Sequence, residues 1–150
     1  MHIEPITIAD FFAHPDAPAL LEAYARECAN EGLPPYRPHR EAYATIEANG
    51  ALRVLAAFDD KGRMLGFLAL LMSLNPHYSV LLAVTESWFV GPDHRATGAG
   101  LALYRAAKDA ARARRAAAIY VSAPKGGQLA GVMEGLGATE TNRVFCEVLA

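Results

Sequence analysis

Two features of the chain could do chemistry, and they lie close together in sequence. The first is the loop Arg95, Ala96, Thr97, Gly98, Ala99, Gly100, which joins the apolar run Val80 to Val90 to a good helical stretch beginning near Leu101. A strand that delivers a short glycine loop to a helix N-terminus makes an anion site. Orphan backbone N–H groups converge there, with the positive end of the helix dipole behind them. Glycine at 98 and 100 lets the backbone approach a phosphorylated ligand without a Cβ in the way. The second feature is Glu86, the one charge in the run Val80 to Val90. Burial in such a run would raise a carboxyl pKa toward the range useful to a general base. A strand-end glutamate that faces solvent or pairs with an arginine is the plainer reading of the same residue.

Two common phosphate loops are excluded by inspection. A dinucleotide fingerprint needs a third glycine where Leu103 stands and an acidic residue about 20 positions further on, where the chain reads Ile119, Tyr120, Val121. A P-loop needs Gly-Lys-Ser/Thr, a triplet the chain lacks. What remains resembles the acetyl-CoA pyrophosphate loop of the GNAT N-acetyltransferase superfamily, Arg/Gln-x-x-Gly-x-Gly/Ala. The preceding Val90, Gly91, Pro92, Asp93, His94, Arg95 is similar to that family's Val-x-Pro-x-x-Arg lead-in.

The resemblance implies an N-acetyltransferase that carries the acetyl group of acetyl-CoA to a primary amine by direct attack in a ternary complex. It implies a cofactor site of Arg95, Ala96, Thr97, Gly98, Ala99, Gly100 and Leu101, with a backbone N–H of Phe89 or Val90 as donor to the developing oxyanion. A glutamate on this strand is the base in several members, the role Glu86 would take here. The family's usual acid is a tyrosine in a segment like Leu-Tyr-x-x-Leu-Gly-Phe. The matching stretch reads Val132, Met133, Glu134, Gly135, Leu136, Gly137, Ala138, and a thioether cannot donate a proton. Either no acid acts, since a thiol with pKa near 8.5 leaves readily, or Tyr120, Ser122 or water substitutes. Tyr120 as a packed strand aromatic is the plainer alternative. A catalytically silent acyl-CoA-binding or regulatory module is the competing function, motivated by Met133.

On the acceptor side, Tyr36, His39, Tyr43, His77 and Tyr78 lie in or beside the connections that wall the acceptor in this family. Tyr24, Glu27 and Glu31 fall on one edge of the first long helix, where the two carboxylates could attract a cationic amine or be ordinary surface charges. The segments Tyr24 to Glu27, His77 with Tyr78, and Glu86 to Val90 also look like a phage- and bacteria-associated subgroup, which adds phage or host macromolecules as acceptors to consider.

The elements that must position these groups read as follows. Ile3 to Ile8 is a strand. Asp16 caps a helix with Pro18 in its first turn, and Leu20, Leu21, Tyr24 and Cys28 keep helical spacing up to Gly32. A second helix runs from about His39 to Asn49, with Gly50 at its end. Leu52 to Phe58, Met64 to Leu74 and Val80 to Val90 are three antiparallel strands, the first two joined by a turn at Asp59 to Gly62. After the loop, Leu101, Tyr104, Ala107 and Ala111 form the buried side of a helix, and Arg105, Lys108, Asp109 and Arg112 its solvated side. Ala117 to Ala123 is a strand, Gln128 to Leu136 a helix closed by Gly137, and Thr141 to Leu149 a last strand. That order is the GNAT order. The fold class is mixed α/β, a central, mostly antiparallel sheet with flanking helices in a single domain over 1–150.

Composition agrees with one globular domain. The 150 residues can bury roughly 70% of their unfolded surface, and 53% hydrophobic with 20% charged residues is ordinary. A net charge of -2 argues against nucleic acid held on a broad basic surface. No apolar run approaches 18 residues and no signal pattern opens the chain, so the expected location is cytoplasmic, away from membranes. Cys28 and Cys146 read as reduced and buried. No His, Cys, Asp or Glu spacing reads as a metal site. The expected partner is a small-molecule or peptide amine, and a homodimer is compatible with this reading.

Overall fold

The computed structural model describes residues 1–29 and 32–149, so Glu31 lies outside it. The chain begins with β1, His2–Ile6. The strand stops short of Ile8 because Thr7 is a helix cap: its hydroxyl oxygen accepts from the Asp10 N–H at 3.1 Å. That cap starts a helix not foreseen in the sequence, α1, Ile8–Ala13, which turns Ile8 and Phe11 into the core. Helix α2 spans Ala17–Glu27 with Pro18 in its first turn. Asp16 precedes it without capping it. Its carboxylate accepts instead from the Met64 N–H at 2.8 Å, pinning the helix start to the start of a strand. Helix α3, Arg40–Ala48, is capped by His39, whose Nδ1 accepts from the Ala42 N–H at 3.2 Å.

Strands β2, Leu52–Phe58, β3, Met64–Asn75, and β4, Val80–Val90, form the expected antiparallel meander. Strand β1 pairs antiparallel with β2, and a short β5, Ala118–Tyr120, pairs parallel with β4, giving the order β1-β2-β3-β4-β5. Gly66 lets β3 and β4 approach closely, since a Cβ there would stand 2.5 Å from the Phe89 carbonyl oxygen. One face packs Val54, Ala56, Phe67, Ala69 and Phe89 beneath α1 and α2, with α3 at the margin. The other packs Leu55, Ala57, Leu68 and Leu70 beneath α4, Ala99–Ala113. Both faces are covered, which explains why β2 and β3 read as nearly continuous apolar runs.

Three expectations fail here. On α4 the buried row is Ala99, Leu103, Ala107 and Ala111, with Tyr104 beside it, whereas Leu101 is 36% exposed. A row at i, i+4 from Ala99 leaves Leu101 about 200° round the helix, so Leu103 supplies the large core side chain. The strand expected over Thr141–Leu149 is not formed: residues 141–149 take neither strand nor helix and are exposed, Phe145 at 89%. Strand β5 pairs over three residues only, too short an edge to satisfy a further nine-residue strand, so that backbone stays with water. Helix α5, Leu129–Gly135, is shorter than expected but in place. Cys28 is partly buried and Cys146 exposed, both free, against the expectation that both are buried.

Candidate active site

Strand β4 carries an irregularity on which the site depends. Its pairing with β3 runs Leu68 with Trp88 and Ala69 with Ser87, then jumps to Leu70 with Thr85. Glu86 is the extra residue, a β-bulge on β4. The burial confirms the change of phase. Ala83 and Val90 both belong to the core on the α4 side although they are an odd number of residues apart, which an unbroken strand forbids. The bulge lets Glu86 and Ser87 line the same pocket on the α1–α3 side of the sheet. It also corrects the expected environment of Glu86: the side chain is exposed at the mouth of the pocket and not buried in the run.

Around Glu86 the structure gathers tyrosines from three parts of the chain. The Tyr43 hydroxyl, on α3, donates to Glu86 Oε1 at 2.7 Å. Tyr24, on α2, meets Tyr36, Phe67 and Phe89 edge to face, with ring centroids 5.7 to 5.8 Å apart. Burial first, and the Glu86 charge second, push the hydroxyls of Tyr24 and Tyr36 up to about 12. For Tyr43, burial and then the hydrogen bond to Glu86 act in the same direction. All three therefore stay protonated as donors. The pocket beside Glu86 is about 30 Å3 and is walled by Phe11, Phe12, Phe67, Tyr36 and Tyr43. A wider hollow of about 310 Å3 shares Tyr36 and Tyr43 with it and continues over Arg37, Pro38, His39 and Ile46.

On the other side of β4, the strand parts from its neighbour. Strand β5 pairs only with Leu82–Val84, and a last link runs from the Ser122 N–H to the Thr85 hydroxyl at 3.2 Å. Among the described residues, no strand lies beside the β4 edge beyond Thr85. The Gly91 N–H donates to the Leu65 carbonyl at 2.9 Å. By antiparallel alternation the Phe89 N–H also points to β3, and the Val90 N–H points away from it into that opening.

The chain then turns through a 3-10 segment, Pro92–Thr97, into Gly98, whose φ of +83° only glycine adopts freely. A Cβ at Gly98 would meet nothing within 4 Å, so the outer side of the loop is open. The Thr97 hydroxyl donates to the His94 carbonyl and accepts from the Ala99 N–H. The N–H groups of Gly100 and Leu101, in the first turn of α4, have no acceptor within the helix. Their donors point out of the helix start, with the dipole of the 15-residue α4 behind them.

The other expected site residues are distributed as follows. Arg95 folds back from the loop: its guanidinium pairs with Glu27, donates to the Val90 carbonyl and lies 5.5 Å from the Phe89 ring centre. Glu27 is thus engaged by Arg95. Ala96 is an exposed member of the 3-10 segment. Tyr120 ends β5 at 40% exposed, flanking the opening, and Met133 is buried on α5. His77 and Tyr78 sit at the β3–β4 hairpin tip, their N–H groups held by Asn75 Oδ1. From Val80 to Glu86 is about 20 Å of strand, so the fold does not bring that pair to the pocket. Phe11, Phe12 and Ser87 are pocket residues that the sequence reading missed. The Thr7-x-x-Asp10 cap was the signal available for the first two. Among the described residues no three His, Cys, Asp or Glu side chains converge as a metal site, and no helix is long and apolar enough to cross a membrane.

Comparison with known proteins identifies the family and the fold. A family model described as "Acetyltransferase (GNAT) family" matches residues 17–132. Similar solved structures include a ribosomal-protein-alanine N-acetyltransferase from Brucella melitensis biovar Abortus 2308, with TM-score 0.73 and 22% identity over 98% of this chain and 99% of that one. Another is an aminoglycoside acetyltransferase from an uncultured soil metagenomic sample, in complex with trehalose, with TM-score 0.76 and 17% identity over 99% and 96%. A Trypanosoma brucei acetyltransferase has TM-score 0.71 and 18% identity over 99% of both chains. At these identities the likeness is one of fold. No curated protein matches in sequence.

Proposed function

Because the chain belongs to the GNAT acetyltransferase family, we propose that it transfers the acetyl group of acetyl-CoA to an amine by direct attack in a ternary complex. The observation that carries this reading is the layout of β4, which holds a carboxylate at its bulge and, at Val90, an N–H turned into the opening beside β5. The glycine loop follows directly. Acetyl-CoA would supply an activated thioester carbonyl for the amine to attack and a thiolate as leaving group.

The residues of the chain would then act as follows. The N–H groups at Gly98, Gly100 and Leu101 receive the pyrophosphate, and the open side of Gly98 leaves room for it. Arg95 supports the strand end, so the loop binds through its backbone. An alkyl amine of pKa near 10.4 is neutral in only about one part in a few thousand at pH 7, a penalty of about 4.6 kcal/mol. Glu86 takes that proton, directly or through one water, and the Tyr43 hydroxyl orients its carboxylate. The Val90 N–H donates to the carbonyl oxygen as charge develops on it. Tyr120, at the edge of the opening, is the side-chain hydroxyl we assign to help the thiolate leave, in place of the absent tyrosine at Met133. Tyr24 and Tyr43 belong to the acceptor wall. The names of the two neighbours above span a protein and a small-molecule acceptor.

One observation favours a second reading, a silent acyl-CoA-binding module: Met133 is buried at the position of the usual acid. The two separate cleanly. In both, acetyl-CoA at 100 times its dissociation constant stabilises the fold by about 2.7 kcal/mol, and Gly98→Val removes most of that gain. Only an enzyme releases free thiol steadily when amine is added. A melting temperature unmoved by millimolar acetyl-CoA would refute both.

A further inference from the structure

The acceptor pocket has an uneven inventory of charge. Rings of Phe11, Phe12, Tyr36 and Tyr43 wall it, and Glu86 is its one carboxylate. Most acids on the elements packed around it are committed elsewhere, and Glu41, on α3, lies at the exposed surface 3.3 Å from His39 Nδ1. Glu47 accepts from the Ile8 N–H at 3.0 and 3.2 Å, Asp16 from the Met64 N–H, and Asp10 closes the cap of α1. Glu22 pairs with Arg26 and Glu27 with Arg95. Cations, by contrast, stand at the rim. The Arg40 guanidinium lies 4.7 Å above the centre of the Phe12 ring, and Arg37 lines the wider hollow. Among the described residues the arginines within salt-bridge distance of a carboxylate are 26, 63, 95, 112 and 143, so neither rim arginine is neutralised there.

A ligand with a single ammonium group and an apolar body fits this field. The ammonium would meet Glu86 and the faces of neighbouring tyrosines, an arrangement that attracts cations by the ring quadrupole. The body would occupy the ring-lined hollow, whose roughly 310 Å3 is at the small end of ligand sites. Further ammonium groups would face Arg37 and Arg40, and among the described residues neither lining holds a second carboxylate to receive them. We infer that the acceptor is a small monoamine on an apolar or aromatic body, held by Glu86, Tyr36 and Tyr43, and that polycationic amines are rejected at the arginine rim. The inference rests on the amine-acceptor reading of the same pocket.

Phenethylamine, spermidine and kanamycin titrated calorimetrically into the protein saturated with coenzyme A, and assayed for thiol release from acetyl-CoA, test it. Phenethylamine should bind and turn over with kcat/KM at least tenfold above both polycations. Tyr36→Leu, which keeps apolar bulk but removes the ring face, should weaken phenethylamine binding about tenfold, with coenzyme A binding and melting temperature held. Arg37→Glu combined with Arg40→Glu should narrow the gap for spermidine. Equal or tighter binding of a polycation, no binding of phenethylamine, or undiminished binding in Tyr36→Leu would each overturn the inference. Failure of acetyl-CoA to raise the melting temperature is a separate result that defeats the transfer reading, and the amine titrations still judge the pocket.

Discussion

Replacing Glu86 by glutamine tests the chemistry most directly, because the bulge makes the structural cost of that change small. The side chain is exposed, so no buried charge is removed and no cavity opens. Its structural partner is the Tyr43 hydroxyl at 2.7 Å, which can donate to the amide oxygen as it does to the carboxylate. A hydrogen bond to a charged group contributes about 1.5–3 kcal/mol and a neutral one about 0.5–1.5 kcal/mol. The expected loss of stability is therefore about 1 kcal/mol, or roughly 2–4 °C in melting temperature for a chain of this size. Loss of a general base is larger: about 10²- to 10⁴-fold in turnover, equivalent to roughly 2.7–5.4 kcal/mol of barrier. Thiol release against pH with an identified amine reads one quantity, and thermal melting with and without acetyl-CoA reads the other. Turnover should fall by that factor while acetyl-CoA binding holds within about threefold. A wild-type pH profile that survives unchanged in Glu86→Gln would assign its ionisation to the amine itself, and Glu86 would then be a structural carboxylate. Loss of acetyl-CoA binding would show that Glu86 supports the strand and not the proton transfer.

Two further outcomes follow from the same geometry. Tyr24 and Tyr36 ionise at about 12 in the fold against 10 in the unfolded chain, so the folded form holds those protons longer. Their contribution to stability is complete below pH 10 and is lost as pH rises from 10 through 12. Tyr24→Phe should flatten the fall in melting temperature over that window, and curves parallel to wild type would refute the burial of its hydroxyl beside Glu86. Met133→Tyr should leave turnover unchanged or raise it, because the protein already works without a donor there. A large drop in turnover at normal acetyl-CoA binding would instead show that the buried thioether shapes the site.

The parts of the fold legible in the sequence were those with strong local punctuation. The Asp59 to Gly62 turn fixed the β2–β3 hairpin, and Gly50 and Gly137 mark helix ends with positive φ, as their positions suggested. Boundaries failed where a side chain acted over a distance or where a partner was required. Asp16 has the position of a cap, but its carboxylate is drawn to the Met64 N–H on a strand 48 residues away. Thr7 could belong to a strand by propensity, and only its bond to Asp10 shows that the chain has begun to coil. Thr141 to Leu149 is rich in strand-forming side chains, yet strand structure needs an edge, and β5 is too short to offer one.

The site divides in the same way. The glycine loop was legible because its chemistry is carried by the backbone of consecutive residues, so spacing alone describes it. Glu86 was legible as an isolated charge, but its exposure was not, because a bulge is a mismatch between the residue counts of two paired strands and leaves no mark in either one alone. Its cluster of tyrosines, drawn from α2, the following connection and α3, is assembled only when those segments close over one face of the sheet. The bulge also links the two halves of the site. By adding one residue to β4, it reverses the phase of the strand between Thr85 and Ser87. Glu86 is thereby carried to the aromatic pocket, while Trp88 and Val90 keep their side chains on the α4 side. A strand without the extra residue would have to sacrifice one of these placements. The position of the bulge, more than the identity of any single neighbour, is what lets one strand serve both the acceptor pocket and the glycine loop.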